Sequence, residues 1–374
     1  MTGARFRSGA RFRSGGHSGA RSGLRGRSAV RTVRTVRTPG GLSVRFDSRV
    51  ALTLLLLTVA ALGAGVVLIG SGDYPMSPAD VVATLLGDGD PGQEFIVQEL
   101  RLPRILVGLL VGAALGVGGA VFQSLTRNPL GSPDVIGFGQ GATVGALSVI
   151  VLFRGDALAV AGGAVVGGVL TGVGVYLLAW KRGVHGFRLV LVGIGVAAML
   201  TAAIHYLITK ADLIDATRAV LWMTGSLDGR DWAQVWPLLA VCGVLIPLVL
   251  GRGRALRVIE MGDDAAYALG VRVERTRVLL MGSAVVLVAV ATAAAGPISF
   301  VALSAPQLAR RLTRAPGPHL GPAAVMGAVL LLVADWIATS AFGDRELPVG
   351  VVTGVLGGCY LLWLLVTERR AGRI

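Results

Sequence analysis

Charged and amide side chains are scarce in this chain, so each cluster of them points to a chemical role. The stretch "RLPR" sets Arg101 and Arg104 three apart, on one face of a helix whose start Pro103 fixes. Two guanidiniums so placed offer bidentate sites to the carboxylates of an extracellular partner. The same pair would also serve as interfacial anchors that reach lipid headgroups. "FQSLTRNPLGSPD" (122–134) gathers Gln123, Ser124, Asn128 and Pro129 between two apolar runs. Its prolines disfavour helix at the residues before them, and the amides and hydroxyl can satisfy the backbone groups this frees. "RVIEMGDDAAYALGVRVERTR" (257–277) places Glu260, Asp263 and Asp264 among arginines. Asp263 and Asp264 precede "AAYALG", which reads as a short helix between Gly262 and Gly270, capped at its start, with Ala265, Ala266, Tyr267 and Leu269 as its apolar face. Such a helix suits protein docking, although a solvated loop would carry the same pattern.

Catalytic chemistry has no comparable signature. The two lysines, Lys181 and Lys210, stand outside any phosphate-binding glycine loop, and "GFGQG" (137–141) opens an apolar run. His17, His185, His205 and His319 are scattered, and Cys242 and Cys359 lie inside apolar stretches, which disfavours a metal site or a disulfide framework. No cofactor is implied. Away from the ends of the apolar stretches the sole acid is Asp335. It reads as a capped or paired helix residue, with a proton relay as the sharper alternative. An ion-coupled carrier for a metabolite or drug usually needs more carboxylates than that. It stands as the alternative to a transporter driven by another polypeptide, and a membrane-embedded enzyme is a third reading.

The elements that must position these groups are apolar helices. Of the 374 residues 53% are hydrophobic and 15% charged, and several apolar runs reach the roughly 20 residues a helix needs to cross a bilayer. The expected fold is all-α, a polytopic membrane protein with ten transmembrane helices near 50–70, 105–124, 135–153, 157–180, 188–208, 232–250, 278–296, 298–312, 323–341 and 349–366. Arginine and lysine collect on one side of this arrangement, at the N-terminus, Arg127, "KRGVHGFR", 252–277, "ARRLTR" and "ERRAGR". That side is cytoplasmic, with both termini inside. Among 55 glycines, spacings such as Gly108-x₃-Gly112-x₃-Gly116, Gly163-x₃-Gly167 and Gly168-x₃-Gly172 predict close helix contact.

The net charge of +14 is largely a property of the first 49 residues, which hold 12 of the 35 basic residues and one acid, Asp47. "ARFRSG" repeats there and "RTVRTVRT" follows, so residues 1–48 are expected to be a disordered basic tail and 49–374 the membrane domain. Contact with anionic lipid suits such a tail better than nucleic acid does.

Six blocks together resemble the FecCD-type permeases: "RLPRILVGLLVGAALGVGGAVFQSLTRNPLGSPDVIGFGQGA", "LVGIG", "WMTGSLDG", "MGDDAAYALGV", "GPISFVALSAPQLARRL" and "ELPVGVVTGVLGG". The wording is nearest to ferric-enterobactin permease subunits, and the likeness runs from about residue 50 onward. The resemblance implies a membrane subunit of an ABC importer for ferric siderophores, haem or cobalamin. Its partners would be a second permease, cytoplasmic ATPase subunits and an external siderophore-binding protein. Arg101 and Arg104 would dock the binding protein, and 262–270 would sit on the ATPases. Gln307 stands where family members commonly have His, which leaves its role open, and the basic tail is no part of the pattern. The joint at 122–134 reads as a turn near the inner gate, with non-helical backbone buried in protein.

Overall fold

The computed structural model describes residues 33–37, 43–72, 74–180, 186–341 and 346–370. The "ARFRSG" repeats, the first five residues of "KRGVHGFR" and the end of "ERRAGR" lie outside the described residues. The chain divides into two units, Met1–Asp47 and Ser48–Ile374. In the first, where no regular structure was expected, β1 (Val33–Arg37) pairs antiparallel with β2 (Ser43–Asp47), Val36 opposite Val44. "VRTVR" and "SVRFD" are rich in β-branched and aromatic residues, and Pro39-Gly40-Gly41 between them supplies turn residues.

The second unit is helical. It begins with α1 (Ser48–Gly70) and α2 (Pro78–Leu86). Next α3 (Pro91–Glu94), a π-helical stretch (Phe95–Arg101) and α4 (Leu102–Thr126) run on as one helix. After the joint come α5 (Phe138–Ser148), ending in a π-helical turn (Val149–Phe153), α6 (Ala157–Ala179) and α7 (Gly186–Lys210). Then follow α8 (Leu213–Met223), α9 (Trp232–Gly251), α10 (Gly253–Glu260), α11 (Asp263–Ala268) and α12 (Val273–Ala295). The last three are α13 (Val301–Thr313), α14 (Leu320–Ser340) and α15 (Val349–Arg370).

Among the described residues seven helical segments are long and apolar enough to cross a membrane: Ser48–Gly70, Pro91–Thr126, Ala157–Ala179, Gly186–Lys210, Trp232–Gly251, Val273–Ala295 and Leu320–Ser340. Phe138–Phe153 and Val349–Leu364 are shorter apolar helices, and α13 has 13 residues. Each apolar stretch expected from the sequence is thus a helix, but boundaries move: α12 starts at Val273 rather than 278, α13 at Val301 rather than 298, and two further shifts bear on the sites. The second stretch starts at Pro91, and the Gln98 carbonyl within its π-helical part accepts from Trp232 Nε1 at 3.1 Å. The third starts at Phe138 rather than 135, because Gly137 takes a left-handed φ of 92° and breaks the turn before it. Short helices α2, α8 and α10 lack the apolar length that hydropathy registers, although the Ser77–Asp80 capping box marks α2 in the sequence.

Helix α4 is the axis of the unit, buried almost continuously from Val111 to Leu125. Small residues let neighbours reach its backbone. A Cβ on Gly112 would lie 2.4 Å from the Gly327 carbonyl oxygen and one on Gly116 2.2 Å from that of Ala323, both on α14. At Gly119 the neighbour is the Ala302 carbonyl of α13, 1.7 Å from such a Cβ. Pro306 has no N–H to give that carbonyl, so it turns toward the glycine. Gly119→Leu is expected to abolish accumulation in membrane fractions on immunoblots. Gly174→Leu, whose Cβ would meet nothing within 4 Å, is expected to accumulate normally.

The joint climbs back into the unit. A Cβ on Gly186, the first residue of α7, would lie 3.0 Å from Thr126, the last of α4, so those two ends share one level. Gly137 packs against Ala197, eleven residues along α7, which at 1.5 Å per residue is about 16 Å further in. Residues 128–137 therefore form a re-entrant segment, and α5 begins about half-way along α7.

Candidate docking, gate and coupling sites

At the start of α4 the two arginines diverge. Arg101 Nη1 donates to the Ile69 carbonyl at 2.6 Å, which ties it to the end of α1. Arg104 reaches α14, where Nε and Nη2 grip the Asp335 carboxylate at 3.1 and 3.0 Å. Asp335 is 1% exposed and the Arg104 side chain 20%. The remaining Arg104 nitrogen faces Asp228 at 3.7 Å and Glu346 at 3.6 Å. A residue expected to face a partner is thus committed inside the chain, and Asp335 is its paired carboxylate. Cavities of about 470 and 300 Å³ open on either side of Arg104.

The polar residues of the joint find partners, but of Gln123, Ser124 and Asn128 only Asn128 satisfies a backbone group of the joint itself. Gln123 and Ser124 are buried near the end of α4. Gln123 Nε2 donates to the Leu303 carbonyl of α13 at 3.0 Å. Gln307 Nε2, also on α13, donates to Gln123 Oε1 at 2.8 Å and to the Pro129 carbonyl at 2.7 Å. Gln307, whose role the sequence left open, therefore stitches α13 to the joint. Asn128 Oδ1 accepts from the Leu130 N–H at 2.9 Å, closing the turn locally. Arg310 donates to Ser124 Oγ at 3.4 Å and pairs with Glu260 of α10 at 3.5 Å. Gln123, Ser124, Pro129, Glu260 and Arg310 line a cavity of about 370 Å³ at the end of α4, together with Arg127 and the 315–317 loop.

The segment 262–270 forms the expected short helix, framed by Gly262 (φ 126°) and Gly270 (φ 76°). Its acids do not cap it. Gly262 occupies the capping position, and Asp263 and Asp264 fall in the first turn. Asp263 instead receives Arg277 of α12 on both oxygens at 3.0 Å, and Arg127. Burial works against the Asp263 charge, yet the Arg277 guanidinium and then Arg127 hold its carboxyl below the usual carboxylate range. The stabilisation is present above the ordinary carboxylate pKa of about 4 and is lost only as pH falls through the depressed value, so α11 stays fastened at neutral pH. Ala266 packs inward, Ala265 is half-buried, and Met261, Tyr267 and Leu269 are 71%, 55% and 66% exposed.

Residues 54–367 match the FecCD transport family. This chain belongs to that family. It is 50% identical over 322 residues to the ferric enterobactin transport system permease protein FepG of Escherichia coli K12, covering 86% of this chain and 98% of that protein. It is 37% identical to the iron(3+)-hydroxamate import system permease protein FhuG of Bacillus subtilis, covering 84% and 96%. A solved structure, described as a metal-chelate type ABC transporter in an inward-facing conformation, superposes with a TM-score of 0.76 at 28% identity over 85% of this chain and 99% of that one. In this FecCD chain, residue-type reasoning missed the Arg310–Glu260 pair, and also Arg127 and Arg277 as partners of Asp263. Alternating charge in 252–277 and "ARRLTR" carries the available signal, but it does not say which arginine meets which acid.

Proposed function

We propose that this FecCD chain is the membrane permease subunit of an ABC importer that moves ferric siderophore complexes into the cytoplasm, on ATP hydrolysed by separate subunits. The identity of 50% with a ferric enterobactin permease, across 98% of that protein's length, carries the reading. On this reading the chain crosses the cell membrane ten times, with α13 as a short eighth crossing and both termini cytoplasmic. It pairs with a second permease. Arg101 belongs to the outer surface that receives the binding protein, and Arg104 shapes that surface from within. Gln123, Ser124, Asn128, Pro129 and Gln307 form the inner gate region. The segment Gly262–Gly270 meets the ATPase through Tyr267 and Leu269, with Met261 just before it. Asp335, the acid an ion-coupled carrier would draw on, is occupied by Arg104.

Uptake of a radiolabelled ferric catecholate siderophore, in cells whose own permease is deleted, tests the reading. This chain with its ATPase and binding protein should restore uptake, and withdrawing the ATPase should abolish it. Uptake that persists without the ATPase would return the chain to the ion-coupled class.

A further inference from the structure

The cavity of about 370 Å³ at the end of α4 falls at the lower end of the ~300–1,000 Å³ range of small-molecule sites. Its described lining holds two arginines, Arg127 and Arg310, and one acid, Glu260. Arg310 is held there without being satisfied. Its Nη2 has two contacts, Ser124 Oγ at 3.4 Å and Glu260 at 3.5 Å, both longer than an ordinary N–H···O bond. Its Nε is buried and has no partner. A guanidinium so placed gives up little when a stronger acceptor arrives. Arg127 is the contrast. Its Nε donates to the Ile259 carbonyl at 3.1 Å and it pairs with Asp263, so it adds positive field more than free donors.

The loop between α13 and α14 supplies another wall through Ala315, Pro316 and Gly317. Among the described residues neither the Ala315 nor the Gly317 N–H finds an acceptor. Gly317 has a left-handed φ of 125°, and a Cβ there would lie 2.8 Å from Arg257 Nε. The glycine thus lets the Arg257 guanidinium, on α10, close on the loop. Arg257 forms no ion pair among the described residues. It brings to this wall a positive charge that no carboxylate answers.

We propose that this cavity is an oxyanion site, which takes an anionic arm of the iron chelate as the cargo leaves through the inner gate. The assignment deepens the transport reading above and rests on it. Iron(3+) held by doubly deprotonated catechol rings is an anion, and the cavity shares Gln123, Ser124 and Pro129 with the gate. Arg310 and Arg257 supply the attraction. Glu260 limits it, because a carboxylate beside the bound oxygens repels them, and an exit site must bind weakly enough to let go.

The test is equilibrium binding of radiolabelled iron(3+) tris-catecholate to the permease–ATPase complex in phosphatidylcholine nanodiscs, without nucleotide or binding protein. Arg310→Gln should weaken binding about tenfold, the scale of one charge-assisted hydrogen bond, and Arg257→Gln about threefold. Glu260→Gln should tighten it about threefold, a sign that a merely structural pair with Arg310 would not give. Arg275→Gln, which changes an exposed arginine of α12 outside the cavity, should bind as the wild type does. Equal binding in all four variants overturns the proposal, as does weaker binding in Glu260→Gln. If Arg310→Gln fails to accumulate, unchanged binding in both Arg257→Gln and Glu260→Gln overturns it. Inorganic phosphate that displaces the chelate at equal concentration would make free phosphate the occupant and overturn the assignment to cargo. Loss of binding in phosphatidylglycerol nanodiscs would overturn it in favour of a lipid headgroup. Uptake judges the transport reading separately. An importer that transports without this pattern of binding sinks the site alone, and one that shows the pattern without uptake sinks the transport reading and keeps the site.

Discussion

Asp335→Ala should destabilise the purified permease by about 3–5 kcal/mol, because it strands the Arg104 guanidinium in a site built for a carboxylate. The pair joins α4 to α14 at the end where their backbones are not yet in glycine contact, and Asp335 has 1% exposure with which to recruit water. Arg104→Glu should be worse, since it sets two carboxylates face to face. A double replacement, Arg104→Met with Asp335→Leu, should recover most of the loss, because apolar side chains of similar volume need no desolvation. Denaturant unfolding in detergent, followed by tryptophan fluorescence, measures all three. If Asp335→Ala unfolds at the wild-type midpoint, the pair is not closed in the membrane and Arg104 is free to meet a partner after all.

Leu269→Asp should leave the isolated chain intact and disable the assembled importer. The side chain is 66% exposed, so a charge there meets water and costs the fold nothing. If the ATPase covers Met261, Tyr267 and Leu269, the same charge is buried without a partner, at several kcal/mol. Expected results are normal membrane abundance, unimpaired capture of the binding protein, at least about tenfold less uptake, and loss of the ATPase on co-purification. Ala266→Asp is the contrasting control. Ala266 is 0% exposed, so that substitution should lower abundance itself. A Leu269→Asp importer that keeps both its ATPase and its uptake would move the contact to "ARRLTR".

Hydropathy is a local property, which is why the apolar helices could be read from the sequence to within a few residues, apart from the second, whose start at Pro91 lies in more polar sequence. The joint was legible for a related reason: Gln123, Ser124, Asn128 and Pro129 are conspicuous between apolar runs, and polar groups there must find partners. Their partners were not legible. Gln307 meets Pro129 across 178 positions, and Asp335 meets Arg104 across 231. Nothing in "RLPR" says which of two arginines turns inward. Asp263 and Asp264 misled because a capping signal and an arginine partner ask for the same residue type, and only the positions of Arg127 and Arg277 decide between them. The height to which the joint climbs was not legible either, since it is set by Gly137 packing on Ala197 and not by any residue pattern.

That height bears on the order in which the protein is made. The 16 residues from Phe138 to Phe153 are too few for a full crossing, and the backbone ahead of them is not helical. Helix α6 meets α5 closely at Gly145 and Gly163, beyond the joint. Ile136 and Gly137 rest instead on Gly193 and Ala197 of α7, which the ribosome has not yet produced when α5 leaves it. The α5–α6 hairpin is therefore no self-sufficient insertion unit. It must wait beside the translocation machinery, sheltered from lipid, until Gly193 and Ala197, beyond the end of α6 at Ala179, deliver its lid.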